Sequence, residues 1–169
     1  MGKKFDLEDY FDLSIGDTTL LFRISGIGTV NFDDFWCNVH LNIKNNNFNY
    51  KTNGSEMLNL DDVIYLRDMI YKILEEKIES KYTVEFTEPD LKFLLQRFKI
   101  RTVNFNTGEE GTEISNCWGT LILKLRENDG SYNNQSYHYD LSQSYLESLK
   151  TYLDDIIPLL EEKCKEKIW

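Results

Sequence analysis

Apolar residues in this chain recur at every second position along several stretches and at helical spacing along only two. This alternation is the strongest constraint on the fold. Period two puts successive side chains on opposite faces of a strand, and a period of about 3.6 lines one face of a helix. Phe5, Leu7, Phe11, Leu13 and Ile15 share one parity, with Asp6, Glu8, Tyr10 and Asp12 on the other, and predict a strand over 5–15 with one wet face. Leu20, Phe22 and Ile24 predict a second strand, punctuated by Gly26-Ile27-Gly28, and Val39, Leu41 and Ile43 a third over 36–44. After the turn Asn45-Asn46-Asn47, Phe48, Tyr50 and Thr52 predict a fourth, ended by Asn53-Gly54.

Leu66, Met69, Ile70, Ile73 and Leu74 then follow helical spacing. The helix they predict starts near Asn59 or Asp61, both good N-cap residues, and ends near Ser80. Tyr82, Val84 and Phe86 alternate again, and Glu88-Pro89-Asp90 is a turn by composition. Leu91, Phe93 and Leu95 open the next strand; the apolar parity then passes to Phe98 and Ile100, which predicts a bulge near 96–97. Leu121, Leu123 and Leu125, the turn Asp129-Gly130, and Tyr137, Tyr139 and Leu141 form a hairpin pattern. A last helix opens near Ser142 with the stripe Leu149, Tyr152, Leu153, Ile156 and Ile157, and Pro158 is expected to kink or end it.

The two halves rhyme. Trp36-x-x-Val39-x-Leu41-x-Ile43-Lys44 has the spacing of Trp118-x-x-Leu121-x-Leu123-x-Leu125-Arg126, and each is followed by a Tyr-bearing strand and an amphipathic helix. The expectation is an α+β fold: a mostly antiparallel β-sheet built from two β-hairpin-plus-helix units, with both helices packed on one face. The 169 residues fit one domain, with an internal repeat over 36–79 and 118–162.

Nineteen Lys and Arg against 29 Asp and Glu give a formal net charge of −10. A field of that sign argues against generic binding to nucleic acid or anionic membrane. The opening residues lack the apolar run of a secretory leader, and no stretch is apolar enough to span a bilayer. Three widely spaced cysteines, Cys37, Cys117 and Cys164, read as free buried thiols, and the expected compartment is the cytoplasm.

No pattern carries chemistry. Gly26-x-Gly28 has neither the third Gly nor the helix of a dinucleotide loop. Cys37 and His40 point to opposite faces of a strand, and His40 and His138 alone do not make a catalytic zinc site, so no metal and no cofactor is expected. Neither histidine belongs to a nucleophile motif, and the paired acids Asp33-Asp34 and Asp61-Asp62 are neighbours, not carboxyls facing across a cleft. The chain therefore reads as a non-catalytic protein. Candidate contact residues are Trp36 and Trp118, matched aromatics of the kind enriched at binding hot spots, and the acids Asp33 and Asp34 before the first of them. Arg97, Lys99 and Arg101 alternate on one strand and form the only basic stripe, an alternative site for an anionic group.

The run Phe86-Thr87-Glu88-Pro89-Asp90-Leu91-Lys92-Phe93, the segment Asn31-Phe32-Asp33-Asp34-Phe35-Trp36 upstream, and Tyr137-His138-Tyr139-Asp140-Leu141-Ser142 leading into the last helix occur in an order that resembles the WapI-type immunity protein family. The likeness covers roughly residues 18–160. The resemblance implies a bacterial protein that sits in the producer's cytoplasm and binds and neutralises the toxic domain of a polymorphic toxin. An acidic, aromatic-rich surface suits a basic toxin domain. The alternative is a small acidic binding or structural module with no toxin partner, such as a homodimer pairing sheet edges.

Overall fold

The third strand shows how the sequence pattern becomes architecture. Cys37, Val39, Leu41 and Ile43 are buried while Asn38, His40 and Asn42 between them are half-buried, so one face of the strand meets a core and the other meets solvent. In the computed structural model, which describes residues 4–31, 34–52, 54–88, 90–103, 106–126 and 131–167, this strand is β3 (Asp34–Asn45). It pairs antiparallel with β2 (Thr19–Asn31), which pairs in turn with the short β1 (Phe11–Asp12). Its other edge is shared by β4 (Phe48–Lys51) and β5 (Ser55–Asn59).

After α1 (Leu60–Glu75) comes a second antiparallel sheet in sequential order: β6 (Ser80–Glu85), β7 (Leu91–Val103), β8 (Glu110–Arg126) and β9 (Tyr132–Ser142). The chain closes with α2 (Gln143–Lys167). The fold is α+β, as expected, but the strands form two sheets rather than one. Each helix packs against both: α1 on β3, β5, β6 and β7, and α2 on β2, β8 and β9. Leu13, Phe22 and Leu41 from the first sheet meet Leu91, Phe93 and Leu121 from the second against Leu149 of α2. All three cysteines are buried free thiols.

Several local expectations are corrected. The strand expected over 5–15 is reduced to β1, because the carboxylates of Asp6 and Asp9 bond neighbouring backbone N–H groups and fold residues 6–9 into a turn. Past β1 the Leu13 N–H still bonds the Leu20 carbonyl and Ile15 bridges Thr18, while the alternation of burial upstream at Phe5 and Leu7 belongs to no strand. β5 was not foreseen: Met57, Leu58 and Asn59 are buried in succession beside a register shift, so no alternation marks it. The bulge expected at 96–97 is absent, for β7 and β8 stay in register from Leu91 to Arg101. The register instead breaks in β2, between Ile24 and Ile27, where Gly26 adopts φ 141.

Helix α1 stops at Glu75, short of Ser80. Arg97 reaches across from β7, its Nε and Nη2 donating to the carbonyls of Ile73 and Leu74 at 3.0 and 2.6 Å, which satisfies two of the acceptors a helix end leaves open. Helix α2 runs through Pro158 instead of ending there. The turn expected at Asp129-Gly130 lies outside the described residues. In the two sheets the matched tryptophans hold parallel positions: Trp36 pairs with Asn59, the cap of α1, and Trp118 pairs with Ser142, the residue before α2.

Candidate functional site

The outward parity of β3 carries Asp34, Trp36, Asn38 and His40. Beside them, Trp36, Gly54, Ser55, Glu56 and Glu88 line an open groove of about 470 Å³. Both charged walls are carboxylates, and among the described residues the lining contains no cation.

The groove is held from three directions. Asn59 caps α1, its side chain accepting from the Asp62 backbone N–H at 2.8 Å while Asp62 accepts from the Asn59 N–H at 3.2 Å. Asp62 also accepts from the Thr87 N–H and hydroxyl, each at 3.4 Å, so the run 86–93 is moored to the helix start. Burial pushes the Asp62 carboxyl above the usual carboxylate range, and the bonds from Asn59 and Thr87 oppose that shift. From β9, the Tyr132 hydroxyl donates to the Glu88 carboxylate at 3.5 Å and to that of buried Asp90 at 3.2 Å. On the far wall Glu56 accepts the Thr29 N–H at 2.8 Å. A Cβ on Gly28 would stand 2.5 Å from Asn38 Oδ1 and 2.9 Å from Glu56 Oε1, so any larger residue there would push both side chains aside.

Deeper on the same sheet face, Ser25 Oγ and His40 Nε2 share a hydrogen bond of 2.8 Å. Burial, then the nearby Arg23 guanidinium, lowers the His40 pKa from its ordinary 6.5, with Lys51 adding to the fall and Glu8 opposing it. The pair has a nucleophile-and-base geometry, but among the described residues no carboxylate is bonded to the ring to orient it. Glu8 is instead paired to Arg23 at 2.9 Å.

The structure brings some of the expected residues to this face and not others. Trp36 is a wall of the groove. Asp34 lies exposed at the end of the β2–β3 hairpin, opposite Asn31. Asp33 lies outside the described residues. Trp118 sits on the other sheet, 37% exposed between Gln96 and Ser142, and contributes nothing to the groove. The basic stripe is engaged within the molecule: Arg97 holds the end of α1 and the Ser115 hydroxyl, while Lys99 and Arg101 both pair with Glu113, at 2.6 and 3.4 Å. Sequence reasoning missed Glu56, which belongs to the unforeseen β5. It also read Glu88 only as a turn residue, although the run 86–93 that contains it was the best marker of a family. Among the described residues, no group of three His, Cys, Asp or Glu is placed to hold a metal ion. No described helix is long and apolar enough to cross a membrane.

The described residues form a two-sheet α+β protein with a groove beside Trp36 walled by two glutamates. The chain belongs to the immunity protein WapI-like family, whose model matches residues 6–160. No curated protein and no solved structure matches it.

Proposed function

We propose that this protein is a non-catalytic immunity protein that binds a cognate bacterial toxin domain in the cytoplasm and neutralises it. The family match over residues 6–160 carries the reading. The partner it favours is a basic domain, because the protein has a net charge of −10 and the Trp36 groove is walled by Glu56 and Glu88. In this reading Trp36 is the anchor, Glu56, Glu88, Asp33 and Asp34 supply the field around it, and Trp118 is a second aromatic contact on the other sheet.

Growth rescue tests it. The toxin domain encoded beside this chain's gene is expressed in a test bacterium, alone and with the protein. Killing that the wild-type protein reverses, and that Glu56→Lys with Glu88→Lys no longer prevents, is the expected result. A toxic domain that still kills beside abundant folded protein would remove that domain as the partner. A protein that elutes as a stable dimer and binds no toxin would favour the homodimer.

A further inference from the structure

The outer face of the second sheet holds a separate recess. Glu85, Lys92, Ile122 and His138 lie in one row across β6, β7, β8 and β9, each opposite the next. Lys124 and Ser136 form the row beside it. With Phe86 and Leu91 these residues line a groove of about 480 Å³, within the size range of small-ligand sites. Among the described residues it shares no wall with the Trp36 groove.

The lining divides by chemistry. Phe86, Leu91 and Ile122 make an apolar floor. Lys92 is committed to Glu85 by an ion pair of 2.6 Å. Lys124 is exposed and, among the described residues, has no ion-pair partner; its backbone N–H is fixed to the Asp90 carbonyl at 2.8 Å. Across from it, Ser136 Oγ and His138 Nε2 share a hydrogen bond of 3.1 Å, so two further polar groups are held beside the uncommitted ammonium. The field of Lys124 also reaches Glu85, whose carboxyl is held below its usual range chiefly by Lys92.

We propose that this groove binds a small organic carboxylate, its apolar body on Phe86, Leu91 and Ile122 and its carboxylate between Lys124 and the Ser136 hydroxyl. One uncommitted cation matches one negative charge. A more highly charged anion would face Glu85 in the same wall and the field of a protein at −10. The site is independent of toxin binding, so its failure leaves that reading untouched.

The probes are hexanoate, 1-hexanol and inorganic phosphate, titrated into the isotopically labelled full chain and followed by amide chemical shifts. Hexanoate is expected to give saturable shifts around Phe86, Lys92, Ile122 and Lys124, with a dissociation constant in the millimolar range set by its few atoms. Hexanol should bind about threefold more weakly or worse, and the exposed substitution Lys124→Gln should weaken hexanoate by about the same factor. Hexanol binding as tightly as hexanoate would overturn the proposal, as would phosphate saturating the same amides at lower concentration. Hexanoate shifts that never saturate, or that Lys124→Gln leaves unchanged, would overturn it too.

Discussion

Two residues show what single side chains do here. Tyr152 is fully buried in α2 against the rings of Phe5, Phe11 and Phe22, at centroid distances of 5.2, 5.5 and 6.1 Å. Its hydroxyl accepts the Ile24 N–H at 2.9 Å, at the point where the β2 register slips. Tyr152→Phe keeps the rings and orphans that N–H, so chemical denaturation should show a loss of about 1–3 kcal/mol. The helical spacing foretold Tyr152 as a core residue. It did not foretell the hydrogen bond, because donor and acceptor lie 128 positions apart and meet only where a bulge exposes the donor. His40 gives a pH dependence. Its folded pKa lies below the ordinary 6.5, so the folded state binds the proton less readily than the unfolded chain does. Its contribution to stability is complete above that value and is lost as the pH falls through the folded pKa. Urea melts at pH 7.5, 6.5 and 5.5 should show the wild type weakening toward acid more steeply than His40→Gln, with Ser25 left beside a group that does not titrate.

At the scale of elements, legibility depended on whether each strand's alternation coincided with a ladder. The stretches Leu20–Ile24, Val39–Ile43, Leu121–Leu125 and Tyr137–Leu141 read plainly because each is paired and has one face more deeply buried than the other. β7 misled because its inward parity continues from Leu91, Phe93 and Leu95 into Arg97, Lys99 and Arg101 after the core has ended. Phe98 and Ile100 then fall on the outer face, and a change of burial imitated a change of register. The start of α1 was legible in Asn59, whose capping box is local, whereas its end is set by Arg97 from another strand. Helix α2 is the sharpest conflict between local rule and packing. Pro158 has no N–H to give the Asp154 carbonyl, yet the helix continues because Leu160 and Cys164 extend the buried stripe beyond it. Pro158 itself is exposed, so its replacement opens no cavity. Pro158→Ala should therefore restore the hydrogen bond to the Asp154 carbonyl and raise stability by about 1–3 kcal/mol in thermal unfolding. A drop would mean that the proline itself helps to seat Leu160 and Cys164.

For the molecule as a whole, the charge was legible at once, but where it gathers was not. A sum over the sequence weights every carboxylate equally, while the fold sets Glu56 and Glu88, 32 positions apart, beside one tryptophan. Arg97, Lys99 and Arg101 meanwhile meet partners within the chain, so the visible basic stripe offers a ligand little. If toxin binding uses the Trp36 groove, charge and aromatic surface affect different rate constants. Long-range attraction speeds encounter and is screened within about 10 Å at 0.1 M salt, whereas a packed aromatic anchor acts mainly after contact, on dissociation. Stopped-flow and surface-binding measurements on the toxin complex should then separate the two. Raising salt from about 0.05 to 0.5 M should slow association roughly tenfold or more with little change in the off-rate. Trp36→Ala should speed dissociation by a factor corresponding to about 2 kcal/mol or more at nearly constant on-rate. Trp118→Ala is the comparison, because that ring lies on the other sheet, between Gln96 and Ser142. An effect of Trp118→Ala equal to that of Trp36→Ala would move the interface off the groove, to a surface reaching both sheets. Association insensitive to salt would show that the toxin is not drawn by the protein's negative charge.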